Sequence, residues 1–461
     1  MRRTMHQWKA NGGKKELRKM SNSIRKVHSL IVNGMMARRS FLMLITWCGI
    51  FTTLNLLLMF NDIKIKREYM LLYLSNIKIT TNNFSHVVRY EDQTKENILS
   101  TKIKENVLKD GYHFPKHLCY SETFNESKMD AVFKGSIMPI YKHQLAYCRV
   151  YKGGSTFWRR LLHCLDKNLK VSPFSIKPQD EKGKYRRTCA MNSMNWTYDM
   201  LRVTKNFMFA RNPYSRILSA YIDKLYSPNP YFWKTLGVDI MKTIRNKTSC
   251  GSEVTFRDLV EYIIQTPIEN LDDHFIPISS ICRPCNVQYH YIGKMENFLN
   301  DTVIIFDKFG INATSYITHN FSELYKYDAI YDTVQAVIAF RQQSDRCMSR
   351  FTGLNRIWKK LQTRGIISDN YSLPLNEKES HYISISKLLT LILKIHKISK
   401  KEDLLIQRQK MFVHAYNNIP IDSMYKLQNV YRNDFKLFGY DPFPDSLFGQ
   451  RSKIKTDFFL P

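Results

Sequence analysis

Residues 144–165, QLAYCRVYKGGSTFWRRLLHCL, constrain the fold more than any other stretch. The first eight, QLAYCRVY, are apolar and β-compatible and read as a short buried strand. From Ser155 onward, Trp158, Leu161, Leu162 and Leu165 recur at i, i+3, i+4 and i+7, which is one face of a helix. A strand that passes through a glycine loop into an amphipathic helix is the opening of an α/β unit. NFMFARNPYSRILSAYIDKL, residues 206–225, repeats that plan. Phe207–Ala210 is strand-like, Asn212 is a good N-cap and Pro213 a good first helical residue. Leu218, Tyr221, Ile222 and Leu225 then form an apolar helical stripe. Hydrophobic residues make up 44% of the 461, enough for a packed core. The expected fold class is therefore α/β.

Both loops carry chemistry suited to anions. Lys152 precedes Gly153 and Gly154, whose backbones can approach a ligand closely, and Ser155 and Thr156 add hydroxyls. The first helical N–H groups are unpaired, and the helix dipole favours negative charge there. On these residues alone, a phosphate cradle and a capped strand-to-helix turn are equally good readings. The loop is not a Walker A motif, because the lysine precedes the glycines. In the second unit Arg211 ends the strand, and Ser215 and Ser219 lie four apart on the helix. In doubly wound sheets ligands sit at the carboxyl ends of strands, so two such loops side by side could hold two phosphates of one ligand.

The formal net charge is +30, which favours a polyanionic partner. Residues 41–60, FLMLITWCGIFTTLNLLLMF, carry no charge and are long enough to span a bilayer. Residues 1–40 hold eleven Lys/Arg and one acid, Glu16. The expectation is a cytoplasmic tail (1–40), a single signal anchor (41–60), a polar stem (61–135) and a lumenal domain (136–461). Eight N-x-S/T sequons and eight cysteines beyond the anchor agree with an oxidising compartment. That address counts against nucleic acid as the partner. Cys282 and Cys285 have the spacing of half a zinc site, but no matching second pair follows, so disulfides are expected and no metal. Near the C-terminus, 382–415 reads as helix, with Leu388, Leu389, Leu391, Ile392 and Ile395 apolar.

Four blocks resemble those of Golgi carbohydrate sulfotransferases of the chondroitin, dermatan and HNK-1 branch. Tyr151-Lys152-Gly153-Gly154-Ser155-Thr156-Phe157-Trp158-Arg159 is similar to the family's 5′-phosphosulfate loop, with Tyr151 for Pro and Phe157 for Asn. Arg211 to Tyr221, RNPYSRILSAY, is similar to its 3′-phosphate motif, with Asn212 for Asp. Asp273-His274-Phe275-Ile276-Pro277, Cys282 to Cys285 and Tyr291 to Glu296 resemble a third run, and Tyr431 to Tyr440 the C-terminal ending. The resemblance implies a P-loop-like sulfotransferase fold with a central parallel sheet, behind one transmembrane helix and a stem. It implies 3′-phosphoadenylyl sulfate as donor, an acidic glycan or proteoglycan as acceptor, and a type II position in the Golgi membrane. N-acetylgalactosamine 4-O sulfation of chondroitin or dermatan is the favoured reaction.

Carried onto this sequence, the resemblance places Tyr151, Lys152, Gly153, Gly154, Ser155, Thr156, Phe157 and Trp158 around one end of the donor. It places Arg211, Ser215, Arg216 and Ser219 around the other. Lys152 is positioned to stabilise charge on the leaving oxygen. The acceptor hydroxyl needs a base, for which His274 is the first candidate and Glu296 a weaker one. A glycosyltransferase and a non-catalytic lumenal glycan-binding protein are the alternatives. The first often carries an Asp-x-Asp metal site, which does not occur here, and the second has no need of cations at two helix starts.

Overall fold

The computed structural model describes residues 119, 126–176, 188–318 and 320–449. The expected cytoplasmic tail, the anchor at 41–60 and most of the expected stem lie outside these residues. Among the described residues no helix is long and apolar enough to cross a membrane. The boundary expected near 135 falls inside a helix, Glu126–Ser136 (α1), whose Met129 and Phe133 are buried in the core.

Four strands form one sheet in the order β1 (Ile137–Ile140), β2 (Leu145–Cys148), β3 (Lys205–Ala210) and β4 (Tyr291–Lys294). β2, β3 and β4 are parallel, with Tyr147 opposite Phe207 and Phe207 opposite Tyr291. The expectation of a parallel sheet needs one correction: β1 pairs antiparallel with β2. Only Tyr141–Gln144 joins them, and a parallel return needs a much longer crossover. Gln144 turns the corner in the left-handed region at φ 51°.

The remaining helices of seven residues or more are α2 (Ser155–Lys167), α3 (Met194–Val203), α4 (Pro213–Tyr221), α5 (Val238–Arg245), α6 (Phe256–Gln265), α7 (Phe298–Phe309), α8 (Phe321–Ala339), α9 (Arg350–Thr363), α10 (Ile385–Ile398), α11 (Lys401–Asn417), α12 (Ile421–Val430) and α13 (Arg432–Phe438). Alternate strand residues face opposite layers. Ala146, Cys148, Met208, Ala210 and Ile292 pack with α1, α4, α6 and α13. Leu145, Tyr147, Phe207, Phe209 and Tyr291 pack with α2 and α7. Strands covered on both faces must be apolar throughout, which is why β3 is buried from Asn206 to Ala210. A third core, built from α8, α9 and α10, lies beyond this sandwich.

The helix expected over 382–415 is two helices, α10 and α11, with Ser399 and Lys400 extended between them. Ser399 Oγ donates to the Ile395 carbonyl at 2.7 Å and accepts from the Ser368 N–H at 2.9 Å. A side chain that bonds nearby backbone in this way competes with the helix ladder.

Cys282 and Cys285 form disulfides, as expected, but with different partners: Cys148 and Cys119. Cys250 pairs with Cys347. Cys164 and Cys189 remain thiols. They are buried in the packing on opposite faces of the sheet, so no bridge can join them. Burial pushes each thiol up to about 11. Alkylation of the native protein at pH 8 should leave both unlabelled, and unfolding without reductant should expose both; peptide mapping by mass spectrometry reads the result.

Candidate functional site

The parallel strands bring their carboxyl ends together, and the two expected loops meet there. Lys152 has φ 64° and Gly154 φ 73°, while Gly153 between them does not lie in the left-handed region. Alternation of this kind turns successive backbone N–H groups toward one side, a concavity suited to an anion. Gly154 also sits against α7: a Cβ there would lie 2.5 Å from Phe298 Cε2. A Cβ on Gly153 would meet Val150 and the Phe209 carbonyl at 3.1–3.2 Å. Lys152 is the costly member, since a non-glycine residue pays about 1–2 kcal/mol in that region.

Neighbouring groups hold the loop in place. The Arg211 guanidinium donates to the Lys152 carbonyl at 2.9 Å, so the second loop braces the first. Arg216 is fully buried and donates to the carbonyls of Tyr151 (3.2 Å) and Ile276 (2.7 Å). It thereby ties the loop to the segment carrying His274. Asn212 caps α4 as expected, its Oδ1 accepting from the Ser215 N–H at 3.2 Å. Ser155, Ser215 and Ser219 are half-buried and Thr156 is exposed. Phe157 and Trp158 lie in the aromatic core beneath, where Trp158 packs on Phe207 and Phe157 on Phe298.

Lys152 Nζ donates to Asp223 Oδ2 at 3.0 Å. Lys360 donates to Asp223 Oδ1 at 2.9 Å, and Lys224 lies 3.3 Å from Oδ2. Three cations thus share one carboxylate, leaving a local excess of two positive charges. Burial lowers the Lys152 ammonium to about 8, although Asp223 pulls the other way. Burial would raise the Asp223 carboxyl, but Lys152, Lys360 and Lys224 outweigh it and hold it well below the usual range. Burial lowers Arg211 to about 10, which leaves it cationic at neutral pH.

His274 is buried, with Nδ1 2.7 Å from Asp272 Oδ1. Its ring packs 4.3 Å from that of Tyr151 and edge-on to Phe232 at 5.2 Å. Burial lowers the imidazole below its ordinary value, the Asp272 bond opposes this, and the charges of Lys224 and Lys152 push it further down. With Nδ1–H bonded to the carboxylate, the neutral ring keeps its lone pair on Nε2. Glu296 has both oxygens engaged: one accepts from the Asn212 N–H at 3.1 Å, the other from the Tyr440 hydroxyl at 2.8 Å. It positions the second loop, and a proton acceptor's role is not what its contacts favour.

Several site residues carry no local sequence signal. Asp223 follows the apolar stripe of α4 within an ordinary-looking IDKL. Lys360 comes from α9, 137 residues away from its carboxylate partner. The acid–base grouping at Asp272 was the most legible of the missed residues, standing two before His274.

The profile of the family described as "Sulfotransferase family" matches residues 138–350. That stretch of the chain is similar to the family. It is 30% identical to carbohydrate sulfotransferase 9 of Homo sapiens over 169 residues, 35% of this chain and 38% of that protein. It is 28% identical to carbohydrate sulfotransferase 14 of Danio rerio over 174 residues, covering 37% and 47%. It is 28% identical to carbohydrate sulfotransferase 11 of Mus musculus over 182 residues, covering 37% and 52%. The matched stretch thus spans about half or less of these relatives. No solved structure matches the chain.

Gly154→Ala should destabilise the protein by about 1–3 kcal/mol, through both the positive φ and the Phe298 contact. Adding Phe298→Leu should recover only part of that loss. Urea denaturation of the two variants and wild type measures it, and full recovery would mean that the φ carries no strain.

Proposed function

We propose that the chain transfers a sulfuryl group from 3′-phosphoadenylyl sulfate to a sugar hydroxyl of a glycan. The observation that carries this reading is the bond from Arg211 to the Lys152 carbonyl, within the region that matches the family. It sets two cationic loops side by side, as a ligand with two anionic ends requires. Lys152 and the 153–156 backbone take the 5′-phosphosulfate, and Arg211 and Ser219 the 3′-phosphate. Ser215 serves the second end indirectly, through the Asn212 cap, whereas Arg216 braces the first loop through the Tyr151 carbonyl.

In the transfer, the sugar oxygen attacks sulfur in line. The bond from sulfur to the bridging oxygen breaks as the new S–O bond forms, and adenosine 3′,5′-bisphosphate leaves. Charge grows on the bridging oxygen, where the Lys152 ammonium stabilises it. His274 Nε2 accepts the hydroxyl proton, and Asp272 stabilises the imidazolium through Nδ1–H. We assign chondroitin or dermatan, sulfated at the 4-O position of N-acetylgalactosamine, as acceptor; the similarity of the four blocks supports this. A type II position in the Golgi membrane is supported by the apolar run at 41–60, its basic leader and the three disulfides.

Labelled-sulfate transfer to chondroitin, dermatan, desulfated heparin and a glucuronyl-terminated glycan tests the reading. Lys152→Ala should lower kcat at least about 100-fold, and unchanged transfer by a Lys152→Ala/Arg211→Ala variant would sink the proposal. The pH profile should be a bell. Activity rises as His274 loses its proton, below the ordinary imidazole value, because the base must be neutral. It falls above about 8, because the ammonium of Lys152 loses its proton there. Lys152→Arg should move the alkaline limb upward, and a limb that stays fixed would assign it to another group.

A further inference from the structure

Helices that follow the sheet, α8 within the family match and most of α9 and all of α11 beyond it, also reach this site. α8 is docked on α2 by Arg160, a buried guanidinium that donates to both oxygens of Asp328 at 2.9 and 2.8 Å. Tyr325 stands three residues before Asp328 on the same helix face. Its ring meets Phe174 at 6.5 Å, and Phe174 packs against Phe157 in the first turn of α2. Tyr325 therefore lies beside the start of α2, where the Lys152 loop ends.

α9 approaches from the other side. Lys360 reaches Asp223, the carboxylate that Lys152 also holds. Arg364 follows Lys360 by four residues, one turn along the same face. Its guanidinium donates to the Tyr325 hydroxyl at 3.0 Å. Arg408 is set from a third direction, by α11. Gln407 Nε2 donates to the carbonyls of Gln362 (2.7 Å) and Ile367 (3.0 Å), locking α11 against the end of α9. A Cβ on Gly365 would lie 3.4 Å from Arg408 Cβ, so the chain just after Arg364 runs beside Arg408.

Arg364 thus holds the Tyr325 hydroxyl, and the charges of Arg211 and Arg408 act on the same hydroxyl. Among the described residues no carboxylate forms an ion pair with Arg364 or Arg408. Arg408 and Tyr325 are exposed, and Arg364 is half-buried, so all three are open to a ligand. The Tyr325 hydroxyl is pulled below its ordinary value, chiefly by Arg364 and further by Arg211 and Arg408, which reports the positive field they share. Guanidinium groups that make no ion pair with a carboxylate are matched to a planar or tetrahedral oxyanion.

We propose that Arg364, Arg408 and the Tyr325 hydroxyl form a second oxyanion subsite beside the Lys152 loop, filled by a phosphate or sulfate group of one of the two substrates. The assignment deepens the sulfotransfer reading and rests on it for the identity of those substrates. The group is either the donor's 3′-phosphate, shared with Arg211, or an anionic group of the acceptor glycan.

Wild type and Arg364→Gln/Arg408→Gln, as full chains in detergent, are titrated with adenosine 3′,5′-bisphosphate, adenosine 5′-phosphate and a sulfated chondroitin oligosaccharide. Arg408→Gln alone, at an exposed residue, guards against a folding defect. The double variant should bind one polyanion about tenfold or more weakly, the single variant less so, and adenosine 5′-phosphate as wild type does. A loss confined to the bisphosphate assigns the donor's phosphate, and one confined to the oligosaccharide assigns the acceptor. Equal affinities for every polyanion in wild type and both variants would overturn the subsite, as would a wild type that binds none. Arginine-dependent binding by a wild type that transfers no sulfuryl group would keep the subsite and sink the sulfotransfer reading instead.

Discussion

The Asp223 carboxylate is the point on which the site's geometry turns. A lysine at the end of a strained loop, drawn partly out of water, needs a counter-charge to stay ionised and in place. Asp223 supplies it to Lys152, and Lys360 and Lys224 supply the charge that keeps Asp223 ionised in turn. Removing one partner of such a group leaves the others uncompensated, so their positions are mutually dependent. Because three ammonium groups meet one carboxylate, the arrangement is left short of negative charge. That shortfall is what an anionic ligand would make up.

Around that group, the blocks distant in sequence act as braces. Asp434 is fully buried and accepts from the N–H groups of Ile278 and Ser279, both at 2.7 Å. The Tyr431 hydroxyl donates to the Phe275 carbonyl, and Tyr214 donates to that of Pro442. The Cys148–Cys282 disulfide ties the end of β2 to the same segment. These contacts hold residues 272–282 against the sheet, and with them the Asp272–His274 pair. The C-terminal block at 431–440 thus bears on the site through the chain it supports, except for Tyr440, which reaches Glu296 directly.

The sequence made legible whatever depends on local pattern. The strand, loop and helix at 144–165 and again at 206–225 were readable because period and capping are set within a few residues. Asn212 and Pro213 open α4 where their chemistry requires it. What was not legible depends on pairing across the chain. Nothing local marks Cys148 and Cys119 as the separate partners of Cys282 and Cys285, or Cys164 and Cys189 as thiols. The break at Ser399 is imposed by a contact with Ser368, against a pattern that favours continuous helix. Phe157 and Trp158 sit within a ligand-like motif, yet their side chains belong to the core.

The same distinction separates two kinds of cation here. Arg216 and Arg160 are buried and bonded to carbonyls or carboxylates, so they fix the backbone and the α2–α8 contact. Lys152, Arg364 and Arg408 keep access to solvent and meet fewer negative charges than they could. A buried cation with its partners in place has little left to offer a ligand, because a new anion would have to displace bonds already made. An under-neutralised cation at a rim gains from one, and the gain is larger where the surroundings are partly dry. Ligand binding is therefore expected from the rim groups, and the precision with which they face one another from the buried ones.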